Sequence, residues 1–166
     1  MTARYAYAEK MAEKLLRKYP HSKPPIDVHA VAKGERLDIE VRHDWPQGLK
    51  LHGLVQGRVI GVNGHEPWVR QRFTVAHEVG HFALGHRSDR RDVPTLDQPD
   101  VDDSPYPAHL EQEANWFANA LLVPKVLLAA SLLEHRTLPP LAAAFAVSQQ
   151  VLTIALDRTK LLARLV

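Results

Sequence analysis

Two histidines and a glutamate in one short segment are the residues of this sequence best suited to chemistry. The segment is His77-Glu78-Val79-Gly80-His81. Histidines four residues apart lie on the same face of a helix, so both imidazoles can reach one cation. Zinc held by three protein ligands keeps a position open for water and polarises a substrate carbonyl. Glu78 could then accept a proton from the attacking water and pass it to a leaving amine, so the pattern predicts metal-dependent peptide hydrolysis.

The residues around this segment predict the helix that the chemistry requires. Apolar residues recur at helical spacing from Trp68 to Leu84, and Gly85 follows where the helix should end. Both histidines fall in the apolar stripe of that helix. Gly80 costs about 1 kcal/mol in a helix interior, which indicates a close neighbour beside the metal site.

A third ligand has to come from another segment. The sequence contains no cysteine, so the metal must be held by His, Asp or Glu. The next predicted helix, from about Ala108 to Leu122, carries Glu111 and Glu113 on opposite sides of its apolar stripe, at similar angles. Spacing alone therefore does not choose between them. One Zn²⁺ ion is predicted, although a His/His/Glu set also suits manganese or another divalent ion.

The remaining elements predict an α+β fold with a single domain over residues 1–166. A helix is expected to end near Pro20, and a second short helix covers Ile26 to Lys33. Alternating apolar residues predict three strands in a small antiparallel sheet packed against the metal-binding helix. The strands contain Leu37 to Val41, Leu49 to Val55 and Arg58 to Val62, and Gln56-Gly57 forms the hairpin turn between the last two.

The segment from His86 to Pro107 is polar and rich in proline, so it is predicted to be a long surface loop whose length is typical of a functional lid. Its acidic residues are expected to be merely solvated. Three candidates for stabilising an oxyanion flank this loop or lie in it, and none is assigned from sequence. The acidic residues are Asp100, Asp102 and Asp103, and the oxyanion candidates are His86, Tyr106 and His109.

Composition excludes several classes of protein. A composition with 45% hydrophobic and 24% charged residues predicts a globular chain, and neither a secretory leader nor a membrane-spanning segment is expected. A net charge of +2 is too small to indicate a nucleic-acid surface. A soluble, cytoplasmic protein without membrane contact is expected by elimination. The sequence does not give its oligomeric state.

The run from Gln71 to His81 resembles the zinc-binding helix of the ImmA/IrrE family of metallo-endopeptidases. The likeness extends upstream to Val59 to Asn63, and downstream from Glu113 through Pro124. The predicted C-terminal helices, Leu141 to Leu162, also resemble the C-terminal helices of this family. This resemblance implies that Glu113 is the third metal ligand, beside His77 and His81. It also implies an intracellular peptidase that cleaves a helix-turn-helix transcriptional repressor in response to stress.

The main alternative is a DNA-binding or sensing regulator with a structural zinc site. Residues 138–166 form a predicted helical pair similar to a helix-turn-helix, with Ser148 capping its second helix. That second helix offers few cations for phosphate contacts, so nucleic-acid binding is not expected. A third hypothesis is a sensing domain without catalysis, and the intact Glu78 favours the enzyme over both.

Overall fold

The computed structural model describes residues 1–88, 94–99 and 104–165. This part of the chain contains seven α-helices, three β-strands and one short 3₁₀ helix. The acidic residues Asp100, Asp102 and Asp103, expected to be solvated, lie outside it, so the predicted lid is described only in part. In chain order the elements are α1 (Tyr5–Lys18), α2 (Val28–Gly34), β1 (Asp38–Arg42), β2 (Gly53–Gln56), β3 (Val59–Asn63), α3 (Trp68–Ala83), α4 (Ala108–Leu122), α5 (Lys125–Ser131), α6 (Leu138–Phe145) and α7 (Gln149–Thr159), followed by the 3₁₀ turn Leu162–Arg164.

Two of the helices, α2 and α7, begin at a residue whose side chain caps the first turn. Asp27 precedes α2 and its side chain accepts a hydrogen bond of 3.0 Å from the backbone N–H of Ala30. Ser148 caps α7 in the same way, accepting from Val151 at 3.2 Å, as predicted. These bonds satisfy backbone donors that have no partner inside the helix.

The sheet is mixed, and the expectation of an antiparallel sheet is wrong for β1. The strand order is β1-β3-β2, in which β2 and β3 form the predicted antiparallel hairpin. β1 lies parallel to β3, with Asp38 opposite Val59 and Arg42 opposite Asn63. A parallel pair needs a long connection, and residues 43–52 together with β2 provide it. Trp45 from that connection packs with Leu51 and Leu54 in a small apolar cluster.

One larger apolar cluster joins most of the helices and the sheet. It extends from Ala8 in α1 to Leu161 beyond α7 and includes residues of every strand or of the segments flanking them. Helix α4 lies between α1 and α3, and it packs closely on both. Its position matters for the site, because one side of α4 faces the motif histidines and another faces the N-terminal helix.

Helices α6 and α7 close the core at the C-terminal end. Leu141 and Phe145 of α6 and Leu152 and Leu156 of α7 are fully buried. Among the described residues, no single helix meets the length and hydropathy needed to cross a membrane, and one bent pair, α6 with α7 at 95°, meets them by length and composition only.

Candidate metal centre

Three ligand atoms from two helices meet at one end of α3. The Nε2 atoms of His77 and His81 are 3.0 Å apart. The Glu111 carboxylate of α4 completes the triangle, with Oε2 at 3.1 Å from His77 Nε2 and Oε1 at 3.2 Å from His81 Nε2. Among the described residues these three form the one group able to share a metal ion.

This donor set fits a zinc ion. Zinc binds histidine nitrogen at about 2.0–2.1 Å and carboxylate oxygen at about 2.0–2.2 Å, so neighbouring donors in a tetrahedron stand about 3.3 Å apart. The separations of 3.0 to 3.2 Å are close to that value. Two imidazoles and one carboxylate are also the ligand types of catalytic zinc sites that leave a position open.

The charge states of two of the ligands suit metal binding. Burial lowers the pKa of His81 to about 4, so its imidazole is neutral near pH 7. Burial alone would raise the pKa of Glu111, but its hydrogen bonds to the two histidines outweigh this, so the pKa is lowered and the group is ionised. For His77, burial lowers the pKa and the neighbouring carboxylates raise it, with a net increase. A metal would displace the proton there.

Glu78 has a buried carboxyl group, one oxygen of which accepts no hydrogen bond. The residue is 4% exposed, and its Oε2 has no hydrogen-bond partner. Burial raises its pKa to about 7; the charge of His77 and the Val55 backbone lower it, and the charge of Glu111 raises it further. A carboxylate with a pKa near neutrality is suited to accepting and releasing protons.

Each motif histidine is oriented through its second ring nitrogen. His77 Nδ1 lies 2.9 Å from Asn115 Oδ1, an acceptor, so Nδ1 carries the hydrogen and Nε2 is free for a metal. His81 Nδ1 lies 2.9 Å from Nδ1 of His86. Both Nε2 atoms therefore face Glu111.

Glu113 is placed elsewhere. Its side chain is 1% exposed and lies on the far side of His86, with Oε2 at 3.0 Å from His86 Nε2. Arg4 donates to both oxygens of this carboxylate, with Nη2 at 2.8 Å from Oε2, and these hydrogen bonds keep the pKa of Glu113 at about 2. The structure thus brings His77, His81 and Glu111 together and does not bring Glu113 to them. The family resemblance implied Glu113 as the third ligand, whereas in this structure Glu111 is the carboxylate beside the two histidines.

His77, His81 and Glu111 line a cleft of about 300 Å³. Tyr106 lines this cleft, and its ring stacks on His81 with a centroid distance of 3.8 Å and an angle of 13°. Burial raises the pKa of Tyr106 to about 12, so its hydroxyl remains a donor. Of the three oxyanion candidates, Tyr106 alone is among the described residues lining the cleft, because His86 lies behind His81 and His109 is outside it.

A family comparison covers the region that contains this site. The model of the Peptidase_M78 family, described as the IrrE N-terminal-like domain, matches residues 34–157, more than half of the chain. The chain belongs to the Peptidase_M78 family. This family, the ImmA/IrrE metallopeptidases, is the one that the sequence motifs resemble, and the resemblance is confirmed. The match includes the whole metal centre of this M78 peptidase. Comparison with curated proteins gave no match.

The position of Asn115 could have identified Glu111 from the sequence of this M78 peptidase. Asn115 follows Glu111 by four residues, so both lie on the same side of α4, and both contact His77. A helix that brings a carboxylate to a metal-binding histidine also suits an amide that orients it. Glu113 lies about 200° further around the helix, on the side that faces Arg4.

Proposed function

We propose that this M78 peptidase is a zinc-dependent endopeptidase in which His77, His81 and Glu111 hold the metal and Glu78 is the general base. The observation that supports the proposal most strongly is the uncommitted Glu78 Oε2. It belongs to a buried carboxyl group with a raised pKa, and it lies in the same cleft as the three ligand atoms. A purely structural metal site would not need a buried base at this position.

In the proposed reaction the metal would activate the carbonyl group and the water, and Glu78 transfers the proton. Zinc, when bound, polarises the scissile carbonyl and makes water more acidic. Glu78 accepts a proton from the water that attacks the carbonyl carbon. The C–N bond then breaks, and Glu78 returns the proton to the nitrogen of the leaving amine, so that the carboxylate is regenerated. The products are a new carboxyl terminus and a new amino terminus.

Strand β2 supports a peptide as the substrate. It is an edge strand, because in the described sheet its neighbour is β3 on one side only. Gly53, Leu54 and Val55 of this strand line the cleft together with Glu78. An extended peptide can add to such an edge through main-chain hydrogen bonds, which would place a peptide bond beside the metal centre.

The substrate we propose is a helix-turn-helix transcriptional repressor in the cytoplasm, cleaved in response to stress. This part of the proposal is supported by membership of the ImmA/IrrE family and by the resemblance of the motifs. A regulatory protein with a structural zinc site is the alternative. This alternative is favoured by α7, the second helix of the C-terminal pair, which begins with the exposed residues Gln149 and Gln150.

The proposal is tested by measuring zinc content and repressor cleavage on the same preparations. The test variant is Glu78→Gln, which keeps the size of the side chain but removes its ability to accept the proton. We expect it to retain zinc and to lose at least about 100-fold in cleavage rate. Glu134→Gln, the same change at an exposed position in the turn after α5, is the matched control and should cleave normally.

Two results would contradict the proposal. Undiminished cleavage by Glu78→Gln would remove Glu78 as the base. A wild-type protein that binds zinc, cleaves no repressor and binds a DNA duplex in a sequence-specific manner would favour the regulator, especially if substitution of Gln149 and Gln150 abolished that binding.

A further inference from the structure

A chain of hydrogen bonds extends from the back of the metal centre to the N-terminal segment. His81 Nδ1 is 2.9 Å from His86 Nδ1, and His86 Nε2 is 3.0 Å from Glu113 Oε2. Arg4 completes the chain with three bonds to the same carboxylate. Its backbone N–H and Nε donate to Oε1 at 2.9 and 3.0 Å, and its Nη2 donates to Oε2 at 2.8 Å. We call His86, Glu113 and Arg4 the relay.

Two members of the relay, His86 and Glu113, lie in the protein interior, and Arg4 reaches them from the surface. The side chains of His81, His86 and Glu113 are each 1% exposed, whereas the Arg4 side chain is 55% exposed. A carboxylate so thoroughly removed from water needs a cation and full hydrogen bonding to remain ionised. Arg4 provides both from the protein surface, and its own guanidinium is still partly solvated.

The hydrogens in this chain have a single consistent arrangement. If His81 presents the Nε2 lone pair to a metal, its hydrogen must be on Nδ1, which then donates to His86 Nδ1. His86 therefore carries its hydrogen on Nε2. That hydrogen is donated to Glu113, which as a carboxylate can only accept. Glu113 thereby fixes the tautomer of His86, and His86 fixes the tautomer of His81.

We propose that His86, Glu113 and Arg4 are positioning residues that fix the ring orientation and tautomer of His81 for metal binding. The inference rests on the metal site of the proposed function. It also gives a role to the N-terminal segment, because Arg4 lies outside residues 34–157, which match the family model. Glu113 then contributes to metal affinity without touching the metal.

The first test is zinc affinity, measured by competition with a chromophoric chelator. Removing an orienting partner of a metal-binding histidine typically lowers metal affinity about 10- to 100-fold, and we expect losses in this range for Glu113→Ala and for His86→Phe. Arg4→Met should lose less, because the backbone N–H of residue 4 still reaches Glu113. Glu113→Gln should recover part of the affinity, since its amide oxygen can accept the bond from His86 while its NH2 group faces the donors of Arg4.

A matched control is available in the exposed pair of His52 and Glu66, whose Nδ1 and Oε1 atoms are 2.8 Å apart. Glu66→Ala removes a carboxylate from a histidine that lies outside the metal triangle, so zinc affinity should stay within about twofold of the wild type, as expected for an exposed pair. Circular dichroism of every variant checks that the fold is retained.

The second test reads the tautomers directly by long-range ¹H–¹⁵N NMR of the imidazole rings. In the zinc-loaded wild type we expect His81 protonated on Nδ1 alone and His86 on Nε2 alone. In Glu113→Ala the His86 ring should lose its fixed Nε2–H form, and Glu113→Gln should restore it. A residue that only fills space would leave these signals unchanged.

Three results would overturn the inference. The first is zinc affinity in Glu113→Ala equal to that of Glu66→Ala. The second is a loss as large as that of Glu111→Ala, which would make Glu113 a ligand. The third is a His86 hydrogen on Nδ1. Because none of these measurements uses hydrolysis, a protein that binds zinc without cleaving peptides would refute the proposed activity and leave the relay intact.

Discussion

Gly80, between the two motif histidines, allows α3 and α4 to approach closely enough to assemble the metal centre. A Cβ atom at this position would lie 2.9 Å from Phe117 Cδ1 and 3.3 Å from the carbonyl oxygen of Ala114. Both neighbours belong to α4 and are fully buried. Ordinary contacts of a Cβ atom begin at 3.4 Å, so Gly80→Ala requires a displacement of 0.5 Å (3.4 minus 2.9) between the helices or in the Phe117 ring.

Two opposing free energies determine the stability of Gly80→Ala. Alanine favours the helix by about 1 kcal/mol. Overpacking of a dense core costs about 1–3 kcal/mol. We therefore expect the free energy of unfolding to fall by up to about 2 kcal/mol. Since Glu111 also lies on α4, half an ångström of displacement should weaken zinc binding by about tenfold, given that misplacement by 1 Å can cost about 100-fold at a site.

Urea unfolding of the metal-free protein and zinc titration measure these two effects separately. The double variant Gly80→Ala, Phe117→Leu is the control, because a smaller side chain opposite the new methyl group should restore part of both quantities. The coupling between the two substitutions should therefore be favourable. If Gly80→Ala gains about 1 kcal/mol and keeps the zinc affinity of the wild type, the reasoning about close approach is refuted.

Three further predictions concern the cleft, the metal and the core. Tyr106→Phe should lower kcat about 100-fold with KM and zinc affinity unchanged, if its hydroxyl stabilises the oxyanion; unchanged kcat in steady-state assays would exclude that role. Removing zinc with a chelator should lower the free energy of unfolding by about 2.7 kcal/mol relative to protein at a zinc concentration 100 times Kd, and an unchanged Tm in calorimetry would mean that the folded state does not bind zinc. Arg158→Met should cost about 1–3 kcal/mol, because Arg158 is 2% exposed and donates to the buried oxygens of Asn119 and Val123, which would lose their partner; a loss well below about 1 kcal/mol in urea unfolding would show that these groups find other partners.

The local parts of the site could be predicted from sequence because they depend on spacing alone. His77 and His81 share a helix face, and Gly57 allows a tight turn whatever the rest of the chain does. The turn residues are Gly57 and Arg58, one position later than the predicted Gln56-Gly57, because Gln56 still pairs with Val59 in the sheet. Gly57 has the positive φ of 61° that such a turn requires. The bounds of α4, Ala108–Leu122, also agree with the prediction, because they too depend on the spacing of apolar residues along one segment.

Features that depend on packing between distant segments could not be predicted in this way. The alternation of apolar and charged residues along β1 identifies the two faces of the strand. It carries no information on whether the partner strand runs parallel or antiparallel. The choice between Glu111 and Glu113 depends on which side of α4 faces α3 and which faces α1. Because α4 packs on both helices, each carboxylate has a buried partner, and the apolar stripe alone does not separate them.

The packing of α1 on α4 makes the cooperative unit of this protein larger than the region of sequence similarity. Ala8 and Ala12 of α1 are fully buried, and Leu15 is 5% exposed. A protein truncated to begin at residue 34 would keep every metal ligand and yet uncover an apolar face of α4. Such a fragment would tend to aggregate, and its inactivity would say nothing about the chemistry of the site. A truncated or chimeric form of this protein should therefore include α1 together with α4.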